Sequence, residues 1–167
     1  MTAESYSIRV GKEDLCFSAC HFLVFGRESA EPMHGHTYRA AVELAGPLTT
    51  NSFVADFTWV RDALGKIVRE LDHRILLAGQ DDRLRIQQEA EEIEVRVGRR
   101  RWVLPRSDCL LLPLEATSTE LLAQYLGRRL LEAFHIRGDW LPDRLRVELE
   151  ESPGQEAFYT LRLNRVG

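Results

Sequence analysis

Along this chain the spacing of apolar positions changes period several times, and each change marks an element. Residues 6–10 and 15–21 alternate, which predicts two strands around a turn at Gly11-Lys12-Glu13-Asp14. In the second, Leu15, Phe17, Ala19 and His21 share one face, while Cys16, Ser18 and Cys20 share the other. Residues 22–33 hold Gly26, Arg27, Glu28, Ser29, Glu31 and Pro32, and read as a loop draped over the strand ends. A third strand follows, with His34, His36, Tyr38, Ala40, Val42 and Leu44 on one face, and stops at Gly46-Pro47. From Asp56 the period becomes helical, because Val60, Leu64, Ile67, Val68 and Leu71 recur at three- and four-residue steps. A second helix is expected near Thr117, where Thr117-x-x-Glu120 has the capping-box form ahead of Leu121, Leu122, Tyr125, Leu126, Leu130 and Phe134. Between the helices, residues 93–97 and 101–104 flank Gly98-Arg99-Arg100 as a hairpin. Residues 144–150 and 157–163 form two closing strands around Ser152-Pro153-Gly154-Gln155.

The order β-β-α-(β-β)-α-β-β describes an α+β domain: an antiparallel four-stranded sheet with two helices on one face, and a hairpin inserted at about residues 92–105. With 167 residues, 44% of them hydrophobic, the chain is expected to be a single domain over 1–167 with a core of its own. The net charge of -4 gives no reason to expect a nucleic-acid or membrane partner, and Arg99-Arg100-Arg101 reads as a solvated hairpin tip. No apolar run approaches a membrane span, and the first residues lack an apolar signal core, so a cytoplasmic location is expected. Cys16, Cys20 and Cys109 lack CxxC spacing and fit reduced thiols.

Three imidazoles carry the candidate chemistry. On a strand, His34 and His36 project the same way and can ligate one ion, and His21 can add a third neutral nitrogen from the neighbouring strand. Three protein ligands with an open position suit a catalytic zinc, whereas structural zinc is usually closed by four. An HxH pair alone equally fits hydrogen-bonded histidines at a strand end. Asp72-His73 follows the first helix and reads either as an acid/base pair or as a helix C-terminus whose histidine bonds the last carbonyls.

Taken together, Phe17-Ser18-Ala19-Cys20-His21, His34-Gly35-His36-Thr37-Tyr38, Val54-Ala55-Asp56-Phe57, Leu71-Asp72-His73, Thr117-Ser118-Thr119-Glu120, and Glu150-Glu151-Ser152-Pro153 with Tyr159 resemble the 6-pyruvoyl-tetrahydropterin synthase family. That family includes 6-carboxy-tetrahydropterin synthases, and the likeness runs from about residue 15 to 163. It implies the tunnelling fold, with Zn2+ held by His21, His34 and His36. Asp72-His73 is similar to the family's acid/base pair, and Glu151 to the carboxylate that anchors the pterin. Glu151 also shares parity with Leu145, Val147 and Leu149, whereas Glu150 is expected to face solvent. Glu120 has a cap residue as its simpler account.

The implied reaction acts on the side chain of 7,8-dihydroneopterin triphosphate or a related pterin. The resemblance also implies a homo-oligomer, trimer or hexamer, with sites at subunit boundaries. One feature departs from the pattern: relatives that make pyruvoyl or carboxy products carry a basic cysteine shortly before HGH, and residues 25–33 contain none. Glu31 gives Glu-x-x-His-Gly-His, which resembles a branch that uses glutamate and cleaves the side chain to the 6-hydroxymethyl product. Glu31 is thus either the replacement base or a solvated loop glutamate. The alternative to an enzyme is a pterin- or purine-binding zinc protein that lost the reaction with its cysteine.

Overall fold

The computed structural model describes residues 4–163. Its strands are β1 (Tyr6–His21), β2 (Val24–Phe25), β3 (Ser29–Ala30), β4 (His34–Gly46), β5 (Arg74–Ala78), β6 (Arg85–Gln88), β7 (Glu92–Val97), β8 (Arg100–Pro105), β9 (Cys109–Leu112), β10 (Arg144–Ser152) and β11 (Gln155–Arg162). The helices are α1 (Phe57–Leu71) and α2 (Thr119–Arg137). The main sheet has the order β11-β10-β4-β1-β5-β9. Its first four members are the antiparallel strands expected from the alternating segments, and β5 and β9 extend them in parallel.

The expected chain reversal at Gly11-Lys12-Glu13-Asp14 is replaced by an irregularity inside one long strand. The pairing steps from Gly11↔Ala41 to Cys16↔Arg39, so five positions along β1 are matched by only two along β4. The surplus is odd, and inward parity therefore switches from Val10 to Leu15, Phe17, Ala19 and His21, all buried. Gly11 permits the close approach on the near side of this bulge, since a Cβ there would stand 2.7 Å from the Cβ of Ala41.

Both helices cover the same face. Asp56 caps α1 by accepting from the backbone N–H groups of Thr58 and Trp59, and Val60, Leu64, Ile67, Val68 and Leu71 bury its apolar stripe. Helix α2 buries Leu122, Ala123, Leu126, Leu130 and Phe134, and the Phe134 ring packs at a tilt against Trp59 of α1, 4.7 Å between ring centroids. The expected capping box does not form. Ser118 is the cap and accepts from Leu121 N–H, Glu120 is exposed, and the Thr117 hydroxyl is already donated to the carbonyl of Phe22.

The hairpin between the helices gains a third strand, giving the sheet β6-β7-β8. This small sheet lies within residues 79–108, which join β5 to its parallel neighbour β9, a connection more often made by a helix. It builds a second core. Ile93, Val95 and Val97 pack with Phe22, Val24, Ala30 and Leu77, with Ile75 and Leu111 against them, while Leu76 and Leu112 belong to the main core. Strands β5 and β9 are therefore apolar on both faces. Residues 22–33 are correspondingly more ordered than a plain loop, closing in the short β2-β3 hairpin.

Ser118→Ala is expected to cost about 1 kcal/mol as a lost cap, and Glu120→Ala close to nothing; urea unfolding of the two variants checks which residue caps α2.

Candidate active site

The three imidazoles meet where β1 and β4 end. His21 is the cross-strand partner of His34, and His36 pairs with Ala19 two positions further along the same face. Their ligand atoms all lie within 4.8 Å of one another. Tetrahedral zinc with bonds of about 2.0–2.1 Å places its nitrogens about 3.3 Å apart, so modest closure of the rings completes such a triangle. Two rings are already oriented: Nδ1 of His21 lies 2.8 Å from the carbonyl of Thr117, and Nδ1 of His34 lies 2.9 Å from the carbonyl of Pro32. A neutral imidazole donating from Nδ1 presents an unprotonated Nε2, the arrangement typical of metal-bound histidine. His21 is 2% exposed, and burial lowers its pKa, against the opposing pull of the Thr117 carbonyl and Glu151. The donor set therefore fits a divalent ion of zinc type.

Glu151 reaches this cluster from β10. Its Oε1 lies 3.4 Å from Nε2 of His21 and 3.8 Å from Nε2 of His36, and it accepts the Tyr38 hydroxyl at 3.1 Å. The bulge between Glu150 and Ser152 marks where the ladder breaks and the carboxylate is released inward. Glu150, half-buried, pairs instead with Arg39. Tyr38 is fully buried against Phe17, with its oxygen 3.3 Å from Nε2 of His21. Burial first, then Glu151, drives its phenol pKa far upward, so it stays a protonated donor at any working pH. Sequence reasoning placed Tyr38 in the apolar row and missed this role, although sharing the face of His34 and His36 was the available signal.

Glu31 is half-buried and held by two hydrogen bonds. Its Oε1 accepts the N–H of Leu23 at 2.6 Å, and its own N–H returns to the Leu23 carbonyl at 3.0 Å, pinning both ends of residues 23–31. Asp72-His73 lies apart from the imidazoles. It is tied to Ser18, which points to the opposite side of β1: Asp72 Oδ1 accepts Ser18 N–H at 2.8 Å, and His73 N–H donates to the Ser18 carbonyl at 2.7 Å. These bonds hold His73 at φ 57°, with Nδ1 2.9 Å from Asp72 Oδ2 and the side chain 84% exposed. The bond from Ser18, helped by His73, lowers the Asp72 pKa. Among the described residues no hydrogen bond or ion pair joins this pair to His21, His34 or His36. His73 instead lines an open groove of about 430 Å³ with Ser18, Cys20, Thr37 and the edge of His36. Cys20 faces this groove, away from the Nε2 triangle.

The family model for 6-pyruvoyl tetrahydropterin synthase matches residues 11–162. A protein of Methanocaldococcus jannaschii provisionally named 6-carboxy-5,6,7,8-tetrahydropterin synthase is 28% identical over 146 residues, 87% of this chain and 89% of that one. A like-named protein of Pyrococcus horikoshii is 28% identical over 154 residues, covering 90% and 89%. The 6-pyruvoyl tetrahydropterin synthase of Plasmodium falciparum superposes with a TM-score of 0.89 at 24% identity, covering 96% of this chain and all of that one. A Plasmodium vivax 6-pyruvoyltetrahydropterin synthase, described as a catalytic-residue mutant with glutamate changed to alanine, superposes with a TM-score of 0.88 at 24% identity and the same coverage. The two superpositions show a shared fold.

One divalent ion per chain is expected from the triangle, bound more weakly at pH 5.5 than at pH 7.5, because a histidine ligates only as the neutral imidazole. His34→Ala should cost more than the roughly 10- to 100-fold typical of losing an outer-shell partner. Titration calorimetry with zinc at pH 5.5 and 7.5 reads both effects.

Proposed function

Because this chain belongs to the 6-pyruvoyl tetrahydropterin synthase family of pterin-biosynthesis enzymes, we propose that it is a zinc-dependent lyase or synthase acting on the side chain of 7,8-dihydroneopterin triphosphate or a closely related pterin. The observation that carries the reading is the triangle of imidazole nitrogens, one buried and two half-buried, with a fixed carboxylate beside it. Zinc held by His21, His34 and His36 would polarise a side-chain oxygen and lower the pKa of a bound hydroxyl.

The chain's own residues supply the rest. Glu151, held by Tyr38, keeps lone pairs free to accept a ring N–H and the adjacent exocyclic amine as a fork, which fixes the pterin plane. Glu31 has one oxygen committed to Leu23 N–H, leaving the other to take a side-chain proton. The catalytic glutamate of the Plasmodium vivax relative supports a base of this type. Asp72 orients the His73 ring through Nδ1, which leaves Nε2 as an outward-facing proton donor or acceptor. Its exposure suits a homo-oligomer in which His73 of one copy serves the imidazole cluster of another.

Incubation of metal-loaded protein with 7,8-dihydroneopterin triphosphate, with products resolved by mass spectrometry, should show turnover that chelation abolishes. The product also separates the 6-pyruvoyl, 6-carboxy and 6-hydroxymethyl branches. Tight pterin binding without turnover would instead select a binding protein. Glu151→Ala should cost about 1.5 to 3 kcal/mol of substrate binding, roughly 10- to 150-fold in KM, with metal affinity retained. Loss of the metal in that variant would make Glu151 a ligand. Glu31→Gln should lower kcat by about 10²- to 10⁴-fold with little change in KM, and retained kcat would pass the base role to His73.

A further inference from the structure

We infer that the small sheet β6-β7-β8 is a positioning device for the candidate metal centre: it clamps the excursion between His21 and His34, and Trp102 is its principal positioning residue. The inference rests on the metal-centre reading of the three histidines.

His21 and His34 face each other across β1 and β4, so residues 22–33 leave the sheet at one candidate ligand and return at the next. Any freedom in this excursion is passed directly to both imidazoles. Its own secondary structure is two two-residue strands, too little to be stable alone in water. Three contacts from the small sheet hold it, beside the hydrogen bonds that the Phe22 and Val24 carbonyls accept from Thr117 and Arg83. Phe22, adjacent to His21 in the chain, stacks on Trp102 of β8 with centroids 4.6 Å apart and ring planes 22° apart. Phe22, Val24 and Ala30 are buried in one cluster with Ile93, Val95 and Val97 of β7, and Met33, adjacent to His34, packs against it. At the tip, Gly98 lies so close to Glu28 that an added Cβ would stand 2.4 Å from its carbonyl oxygen.

These contacts bracket the Glu31 carboxylate. The carbonyl of Phe22 also accepts the hydroxyl of Thr117, whose own carbonyl orients His21, so one residue ties the clamped segment to the site. Preorganised ligands bind a metal more tightly because less chain freedom is lost on binding. The Phe22–Trp102 stack supplies that preorganisation from outside the site.

The test uses the full-length protein and two readouts that need no turnover: amide hydrogen exchange resolved by peptide, and zinc affinity by competition with a chromophoric chelator. In Trp102→Ala, exchange across residues 22–33 should accelerate about tenfold or more, while peptides from β4 and α1 stay at wild-type rates. Zinc affinity should fall about tenfold or more, as for loss of an outer-shell partner. Trp102→Phe, which keeps a ring on Phe22, should restore both. Gly98→Ala, which forces the tip away from Glu28, should move both readouts the same way, and it carries the test should Trp102→Ala fail to fold. Unchanged exchange across 22–33, or faster exchange with zinc affinity intact, overturns the inference. Absence of pterin turnover would end the functional proposal and leave both readouts standing.

Discussion

The register between β1 and β4 is the constraint on which the rest depends. Side chains alternate with a period of two, so a one-residue slip would send His21 to the far face and dissolve the triangle. The register is held by what lies below the site: Phe17 opposite Tyr38, stacked at 4.8 Å, and the buried run Ala40, Val42 and Leu44 continuing beneath. Core packing and candidate chemistry are therefore one alternation read at different depths. The bulge after Gly11 belongs to the same device, because its odd surplus turns His21 inward while Val10, on the other side of the bulge, also stays buried.

The polar atoms of the site are arranged so that few are left unsatisfied. Placing His21, Tyr38 and Glu151 beside one another at the edge of an apolar core is costly unless their lone pairs and protons are matched. Thr117 accepts from His21, Tyr38 donates to Glu151, and Pro32 accepts from His34. What remains is a set of imidazole nitrogens and a carboxylate converging on one point. That convergence leaves acceptors open to a cation or a ligand, unlike a polar network that closes on itself.

The second core gives the sheet two unequal regions. Beneath β10, β4 and β1 the helices bury one face, whereas β5 and β9 are buried on both, because the small sheet covers the face that the helices do not. A connection between parallel strands must cross over one face, and here the crossing segment also packs against residues 22–33. Asp72-His73, at the junction of α1 and β5, faces outward beside this region, held by hydrogen bonds to the backbone of Ser18.

Elements with a single buried face were legible in the sequence because amphipathic periodicity survives in one dimension. This holds for β1 after its bulge, β4, β10, β11 and both helix stripes, and with them for the shared face of His21, His34 and His36. Strands β5 and β9 were not legible: Ile75-Leu76-Leu77-Ala78 and Cys109-Leu110-Leu111-Leu112 carry no alternation when both faces are covered. The cap of α2 was misplaced for a related reason, since only the fold shows that Thr117 is engaged by Phe22 and His21. By itself the sequence determined the residue types of the candidate metal ligands, their spacing and the face they share, all of which are local along a strand. Tertiary structure alone decided that Glu151 and Tyr38 meet them, that Glu31 is pinned to Leu23, and that the small sheet packs against the segment between His21 and His34. Those relations join residues far apart in the chain, and no local periodicity encodes them.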